Sequence, residues 1–279
     1  MTTGTLQQLV YLRKRRVGSR AIVVGAEHVS FSALLTLAHG GAKTVGMVTE
    51  LPRHQTFALF RAGAAARWRA PLWTRTAVTA IHGRPRVEEV ELTDLDSGAT
   101  RSVDCDTVVF TADWIPDHEL AVMGGLAIDP GTRGPAVDSD LRSSRPGVLA
   151  AGNLLHGAET ADIAALSGRH AGAAAADFLA ARAAWPSDHL PIRCEPPLHW
   201  IAPNALTPSA GMPPRGRYLL RSLEFARRPR VEIAQEGRVL WSGHVARLVP
   251  GRSARLPHEW ASAVDPVGGP VRVRLAGRG

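Results

Sequence analysis

Residues 21–50 contain the pattern that most limits how this chain can fold. Ala21 to Val24 is an apolar run that ends at Gly25, which is typical of a buried parallel strand followed by a tight turn. The apolar residues between Phe31 and Ala38 are spaced like one face of a helix, and Gly40-Gly41 ends that pattern. A second apolar run then closes on Glu50. The stretch is therefore predicted to be a strand–turn–helix–strand unit with an acid at its tip.

Such a unit is typical of Rossmann domains, in which the turn and the following helix N-terminus hold the pyrophosphate of a dinucleotide. The fingerprint G-x-G-x-x-G/A is only partly present. Its six positions are taken by Gly25, Ala26, Glu27, His28, Val29 and Ser30. Gly25 suits the tight turn, and Ser30 is small enough for close packing of helix on strand. Glu27 replaces the second glycine, and its carboxylate is expected to repel a pyrophosphate unless it points away.

Two other residues of this unit are candidate ligand contacts. Glu50 is placed to accept hydrogen bonds from the adenosine ribose, and an acid there favours NAD over NADP, which carries a 2′-phosphate. His28 follows the turn, where a histidine suits contact with a phosphate and a helix-end or surface position equally well.

Composition narrows the class of protein. A chain of 279 residues can bury a large core and is expected to form two or three domains. No apolar run approaches the length of a membrane span, and the N-terminus lacks the layout of a signal peptide. The two cysteines, Cys105 and Cys194, are far apart, so neither a redox dithiol nor a zinc site is predicted. We expect a cytoplasmic protein with no metal and no membrane partner.

The formal net charge of +8 comes from an excess of arginine in residues 190–279. A basic surface of this kind suits an acidic partner or a polyanion. However, the whole chain has only two lysines, Lys14 and Lys43, which indicates a general bias toward arginine. The aromatic residues of this segment do not form an interleaved stacking series, so nucleic-acid binding is not favoured.

The order of patterns predicts an α/β chain with four segments. Residues 1–19 are a connector, and residues 20–105 form a Rossmann-like βαβ domain that ends in an antiparallel meander. Residues 106–185 continue with a buried strand, a predicted strand from Gly147 to Asn153, and an alanine-rich helix from Asp162 to Ala184. Residues 190–214 are rich in proline and are predicted to be irregular. The last segment, 186–279, is expected to be a small all-β domain.

The turn after Asn153 is a second candidate site, because a strand again leads into a helix N-terminus there. Glu159, Thr160 and Ser167 lie in or near the start of this helix, and His156 lies in the turn. His156 and His170 are weak catalytic candidates, since the sequence pattern fits a histidine with a packing role equally well. Hydride transfer demands positioning groups rather than a catalytic triad.

At the level of motifs, the chain resembles the pyridine nucleotide-disulfide oxidoreductase superfamily over roughly residues 1–185. Thr111-Ala112-Asp113-Trp114-Ile115-Pro116 resembles the A-T-G-x-x-P stretch that returns such chains to the FAD domain. Arg145 to Asn153 resembles the second FAD motif, with Asn153 in place of its terminal acid. Within the superfamily the chain resembles oxidoreductases that lack the redox dithiol, such as the flavin-binding subunits of opine oxidase and hydrogen cyanide synthase.

The resemblance implies a Rossmann-like NAD(P)-binding domain with a β-meander, a partial FAD-binding domain and a small C-terminal all-β domain. It also implies FAD and NAD as cofactors, with NADP second to NAD. The implied cofactor contacts are Gly25, Ala26, Glu27, His28, Ser30, Glu50, Thr111, Ala112, Gly152, Asn153, Glu159 and Thr160. Members of this family begin with a further glycine-rich unit for FAD, which this sequence lacks. We therefore expect a truncated chain or a partner polypeptide that supplies the missing half.

Two functions follow from these expectations. One is an FAD/NAD(P)-dependent oxidoreductase subunit or fragment that acts on a small amine, imino or opine-like substrate. The other is a non-catalytic interaction subunit that retains the fold. Glu27, Asn153 and the missing half favour the second function, whereas the intact order of motifs favours the first.

Overall fold

The computed structural model describes residues 1–111, 114–157, 159–208 and 210–277, without the side chains of Ala64 and Ala65. The chain divides into two compact units, residues 1–113 and residues 114–279. The sequence-based boundaries at residues 19, 105 and 185 remain predictions, although the strand after residue 105 belongs to the first unit's sheet. Within the described residues, no helix combines the length and the apolar character that crossing a bilayer requires.

The first unit combines a parallel sheet, its helices and an antiparallel meander. Its elements in chain order are α1 (Thr3–Gln7), a π-helical turn (Gln8–Leu12), β1 (Arg20–Val24), α2 (His28–His39), β2 (Lys43–Val48), α3 (Ala58–Trp68), β3 (Leu72–Trp73), β4 (Thr76–His82), β5 (Glu89–Asp94), β6 (Thr100–Asp104) and β7 (Thr107–Phe110). The parallel sheet has the order β3-β2-β1-β7, and β4-β5-β6 form the meander. The predicted α/β class, the βαβ unit and the meander are confirmed.

Strand β1 is central because its side chains are apolar on both faces. Ala21 and Val23 pack in one core with the helical residues Phe31 and Leu34, while Ile22 packs in a second core with residues of the meander. A strand covered on both faces is the usual occupant of the middle of a parallel sheet. The neighbours β2 and β7 lie on its two sides, so the chain reverses its direction of winding at β1.

The second unit is mainly antiparallel β-structure with one long helix. Its elements are α4 (Glu119–Met123), a 3₁₀ turn (Gly152–Leu154), α5 (Ala161–Leu179), β8 (Leu190–Cys194), β9 (Leu198–Ala202), β10 (Ala205–Leu206), a 3₁₀ turn (Pro214–Gly216), β11 (Tyr218–Ser222), β12 (Ala226–Arg227), β13 (Arg230–Gln235), β14 (Arg238–His244), β15 (Arg247–Leu248), β16 (Ala254–Leu256), a 3₁₀ turn (Glu259–Ala263) and β17 (Val271–Leu275). Its sheets have the orders β10-β8-β17-β13-β14, β16-β11-β9 and β12-β15.

Three local predictions for this unit were wrong. The predicted strand from Gly147 to Asn153 makes a single bridge, Leu149 to Arg142, because the chain folds back on residues 141–143 and offers no second neighbour within the described residues. The proline-rich stretch contains β8, β9 and β10. Pro196, Pro197 and Pro203 lie between these strands, and Pro191 is the second residue of β8.

The third error is the end of helix α5, which stops at Leu179 rather than Ala184. Ala181 has a φ of +53°, and the N–H groups of Ala181 and Arg182 donate to the carbonyls of Phe178 and Asp177. This is a Schellman motif, which usually carries glycine at the left-handed position. Since alanine occupies it here, the sequence shows no stop signal.

Candidate functional site

The first candidate site is the turn at the carboxyl end of β1. Gly25 has a φ of +134°, and a Cβ added there would lie 2.0 Å from Thr111 Oγ1. Only glycine fits this backbone, because the position is both left-handed and closed by its neighbours. Thr111 is near because β7 runs parallel to β1 and ends beside it. The turn therefore lies at the point where the winding of the sheet reverses, which is where open α/β sheets bind ligands.

Glu27 is the N-cap of α2, and its side chain folds back beneath the turn. It is 4% exposed and lies in capping-box geometry with Ser30, whose hydroxyl accepts a hydrogen bond from the Glu27 N–H at 3.2 Å. The Ser30 and Thr111 hydroxyl oxygens lie 2.7 Å apart. Burial raises the pKa of Glu27, and the nearby Thr111 and Ser30 offset part of that effect. The carboxyl group is therefore buried within the turn rather than exposed to solvent.

The other predicted residues of this site surround the turn. Ala26 is buried, and its carbonyl accepts a hydrogen bond from the Gln55 N–H at 3.0 Å. The exposed ring of His28 is hydrogen-bonded to Thr56 at 2.5 Å and packs on Phe57. Glu50 is exposed, two residues beyond the end of β2. Of the predicted set, Ala112 lies outside the described residues.

The second candidate site is the turn between the 3₁₀ segment at Gly152 and helix α5. Gly152 has a φ of +69°, and its N–H donates to the Ser167 hydroxyl at 2.7 Å. The Glu159 N–H donates to Asn153 Oδ1 at 2.9 Å, so the asparagine side chain closes its own turn. Thr160 is the N-cap of α5, but its side chain makes no capping hydrogen bond. Asn153 is therefore engaged in a hydrogen bond within its own loop.

A buried charged cluster next to this turn was not predicted. Arg221 lies 3.7 Å from the Glu159 carboxylate and 5.0 Å over the ring of Trp200, and Ser253 also hydrogen-bonds Glu159. The signal in the sequence was a single arginine inside the apolar strand β11. A buried arginine needs an acidic partner and an aromatic or hydrogen-bonded environment, but the amino-acid sequence does not identify which residues provide them.

His156 stacks on the same tryptophan, with ring centroids 4.6 Å apart. Burial, together with the positive charge of Arg221, lowers the pKa of His156 to about 4. The ring is therefore neutral near pH 7 and can serve as a neutral donor or acceptor only. It lines a cavity of about 50 Å³ with Gly152 and Glu159.

His170 lies at a different place. Its Nε2 atom is hydrogen-bonded to the Ser139 carbonyl at 2.8 Å, and the ring lines a cleft of about 550 Å³ with Asp140 and Asp177. The two histidines proposed as weak catalytic candidates thus belong to separate cavities. Within the described residues, no group of three His, Cys, Asp or Glu side chains is arranged to hold a metal ion.

Solved structures share this fold. A thioredoxin reductase from T. acidophilum is 22% identical, with a TM-score of 0.52, and the match covers 64% of this chain and 57% of that one. A thioredoxin reductase from Lactococcus lactis, in the FR conformation, is 15% identical with the same TM-score, covering 59% of this chain and 54% of that one. No family model and no curated protein matches the chain.

At these identities the likeness concerns the fold alone. The fold is that of a partial FAD/NAD(P) Rossmann-type oxidoreductase, as the sequence predicted. The chain spans a little over half the length of the two solved structures. The similarity to opine oxidase and hydrogen cyanide synthase subunits has no support among these structures and remains a hypothesis.

Proposed function

We propose that this chain is the NAD-binding portion, together with part of the FAD-binding portion, of a flavin-dependent oxidoreductase. The observation that carries the proposal is the position of Gly25. The turn follows the central strand of a parallel sheet, precedes the N-terminus of a twelve-residue helix and lies at the reversal of winding. Backbone N–H groups and the positive end of the helix dipole suit a pyrophosphate at such a turn.

The residues around the turn fit a dinucleotide in two respects. The closed space at Gly25 allows the tight backbone that the fingerprint requires, and Glu50 is exposed at the tip of β2 for the ribose hydroxyls. A bound nicotinamide would supply the hydride, while this chain would bind and orient the nucleotide. The exposed acid at Glu50 favours NADH, because it would repel the 2′-phosphate of NADPH.

The fit for FAD is partial. Gly152, Glu159 and Thr160 place a turn and the N-terminus of α5 together, which suits a polarised ring carbonyl or a phosphate. Asn153 is engaged with Glu159 across the turn. The proposal therefore includes a partner polypeptide, or a further segment, that supplies the remaining FAD contacts. A small amine, imino or opine-like substrate and a cytoplasmic location are carried over from the resemblance as parts of the same proposal.

The test of nucleotide binding is titration of the full chain with NADH and NADPH, followed by nicotinamide fluorescence or calorimetry. We expect NADH to bind more tightly than NADPH. In Glu50→Gln the affinity for NADH should fall about tenfold, since a charge-assisted hydrogen bond contributes roughly 1.5–3 kcal/mol. The preference for NADH should shrink in the same variant. Equal affinities in the wild type, or no loss in the variant, would contradict the assignment of Glu50.

Glu88→Gln is the matched control. The Thr76 N–H donates to the Thr49 carbonyl, which places the start of β4 beside Glu50, whereas Glu88 lies at the other end of the β4–β5 hairpin. At about 3.3 Å per residue the two acids are roughly 20 Å apart. Glu88 is exposed, so its substitution should leave both folding and NADH affinity unchanged.

The second candidate function is a non-catalytic interaction subunit. Two observations favour it: the buried carboxyl of Glu27 within the nucleotide turn, and the closure of Asn153 on Glu159. Purified chain that is colourless, and whose melting temperature does not change with FAD, NADH or NADPH, would support this function. Chain that shows a flavin absorption band, or a melting temperature raised by NADH, would support the oxidoreductase.

A further inference from the structure

Glu27 is a buried acid that lies in capping-box geometry with Ser30 but is poorly supplied with hydrogen-bond donors. Its side chain is 4% exposed, and within the described residues neither carboxylate oxygen has a hydrogen-bond partner. A buried carboxylate without donors is costly, and burial of such a group favours its neutral form. Its position is the one at which the fingerprint usually has a glycine that lets the backbone approach a pyrophosphate.

The surrounding hydroxyl groups are already committed. The Thr111 hydroxyl donates to the Val24 carbonyl at 3.1 Å, so the Ser30 hydroxyl must donate to Thr111 across their 2.7 Å contact. The Ser30 oxygen in turn accepts from the Glu27 N–H, and the Ser30 N–H donates to the Glu27 carbonyl at 3.2 Å. A carboxylate can only accept hydrogen bonds, and each of these donors has another acceptor.

A protonated Glu27 matches this environment better. The neutral acid has an O–H to donate, and both the Ser30 and the Thr111 oxygens retain a free lone pair to accept it. Burial also raises the pKa of Glu27, consistent with the geometry. The turn thus favours the acid form and disfavours the carboxylate.

Other titratable groups on the elements around the turn define the controls. Helix α2 begins with His28, the loop after β2 carries Glu50, Arg53 and His54, and the end of β7 contributes the neutral Thr111. Burial is the largest influence on the pKa of Glu27 and raises it, whereas the neighbouring Thr111 and Ser30 hydroxyls and the backbone groups lower it. His28 and Glu50, which lie at the start of α2 and just beyond β2, are the two neighbours replaced in the control variants.

We propose that Glu27 makes dinucleotide binding proton-linked: the turn accepts a pyrophosphate when Glu27 is protonated and opposes it when Glu27 is ionised. This inference rests on the proposed function. A pyrophosphate brings negative charge to the turn that contains Glu27, and charges that share a desolvated site repel strongly. Binding above the pKa of Glu27 therefore takes up one proton from solvent onto the Glu27 carboxylate, and no other bond changes.

The experiment is calorimetric titration of the full chain with NADH between pH 6 and 8, in pairs of buffers with different ionisation enthalpies. In the wild type we expect proton uptake that approaches one per NADH with rising pH, and an affinity that falls by up to about tenfold per pH unit. Glu27→Gln keeps the shape and an N–H donor but cannot ionise. Its binding should take up no proton, and its affinity relative to the wild type should rise with pH by up to about tenfold per unit.

His28→Gln and Glu50→Gln are the matched controls, because each removes a neighbouring titratable group. Both should keep the proton uptake of the wild type, whatever their affinities. Circular dichroism and thermal melting establish that each variant is folded.

The possible outcomes separate this inference from the proposed function. If wild type and Glu27→Gln bind NADH with the same proton uptake, the inference is wrong while the proposed function stands. If His28→Gln abolishes the uptake, histidine carries the proton and the inference is again wrong. If Glu27→Gln binds NADH and the wild type does so only at low pH, the inference is supported. If no variant binds NADH at any pH, the proposed function fails, and the inference fails with it.

Discussion

At the scale of single residues, His156 shows how a buried side chain acquires a protonation state that its identity does not fix. The ring packs flat on Trp200, and Arg221 lies over the same indole. Loss of hydration and the nearby positive charge both oppose the imidazolium, so the pKa of His156 falls to about 4. The ring contributes packing and a neutral nitrogen, which makes it a poor general acid near pH 7.

This shift predicts a pH dependence of stability. Folded His156 stays neutral down to about pH 4, whereas an unfolded histidine protonates near pH 6.5. The contribution of neutral His156 to the free energy of unfolding is therefore complete above pH 6.5. It is lost as the pH falls through about 4, for a total of about 3 kcal/mol. His156→Phe preserves an aromatic stack but cannot be protonated. Between pH 7 and pH 4, we expect its free energy of unfolding to fall by about 3 kcal/mol less than that of the wild type, as measured by urea unfolding.

His82→Asn is the control for this measurement, because His82 is exposed at the end of β4. Its stability should follow the wild-type curve over the same range of pH. A wild-type curve that matches His156→Phe would show that the buried histidine makes no such contribution.

At the scale of elements, a buried ion pair connects the loop before the Gly152 turn to two other segments. Asp138 is fully buried and Arg142 is 2% exposed, and the guanidinium lies 2.7 Å from the Asp138 carboxylate. Arg142 also donates to the Ala184 carbonyl and to the Thr207 hydroxyl, each at 3.1 Å. These contacts join residues 138–142 to the chain after α5 and to the chain after β10.

We expect Arg142→Met to lower the free energy of unfolding by about 3–5 kcal/mol, since it leaves the Asp138 carboxylate buried without its partner. Arg75→Met is the control: Arg75 and Asp96 are 2.8 Å apart, but both are substantially exposed, so the loss should be much smaller. The double variant Asp138→Asn/Arg142→Met should lose less than the sum of its two single variants. Urea unfolding of the four variants measures all of these differences, and similar losses for Arg142→Met and Arg75→Met would contradict the interpretation.

At the scale of the whole molecule, each compact unit contains its own hydrophobic cores. The first unit has one core on each face of its parallel sheet, and the second has a large core between its β-sheets and a smaller one beside α5. Units with separate cores usually unfold as separate cooperative steps. We therefore expect two transitions in differential scanning calorimetry.

Variants assign the two transitions. Gly25→Ala should lower only the transition of the first unit, because the left-handed backbone and the contact with Thr111 together cost about 2–4 kcal/mol, a shift of roughly 10 °C or more. Gly41→Ala is its control, since Gly41 also has a positive φ, of +74°, but no atom lies within 4 Å of the added Cβ. Arg142→Met should lower only the other transition. A single transition, or two that move together in either variant, would contradict independent units.

Local patterns were sufficient wherever one element determines its own conformation. The apolar runs of β1 and β2, the helical spacing of α2 and the turns of the meander depend on neighbours in sequence, so the βαβ unit and the α/β class were predictable. The end of α5 was not predictable, because alanine occupies the left-handed position at which glycine usually signals the end of a helix. The predicted strand from Gly147 to Asn153 was wrong, because a strand exists only where a neighbouring strand supplies hydrogen bonds.

By itself, the amino-acid sequence determined the fold class and indicated the two turns at which we propose that a nucleotide binds, because hydrophobic period and glycine position act over a few residues. Tertiary structure alone decided the state of the groups in those turns. The carboxyl of Glu27 is buried because Thr111 arrives from a strand more than eighty residues away, and Glu159 is paired because Arg221 arrives from β11. Charge and hydrogen bonding depend on what surrounds a side chain in space, and that is settled only when distant segments meet.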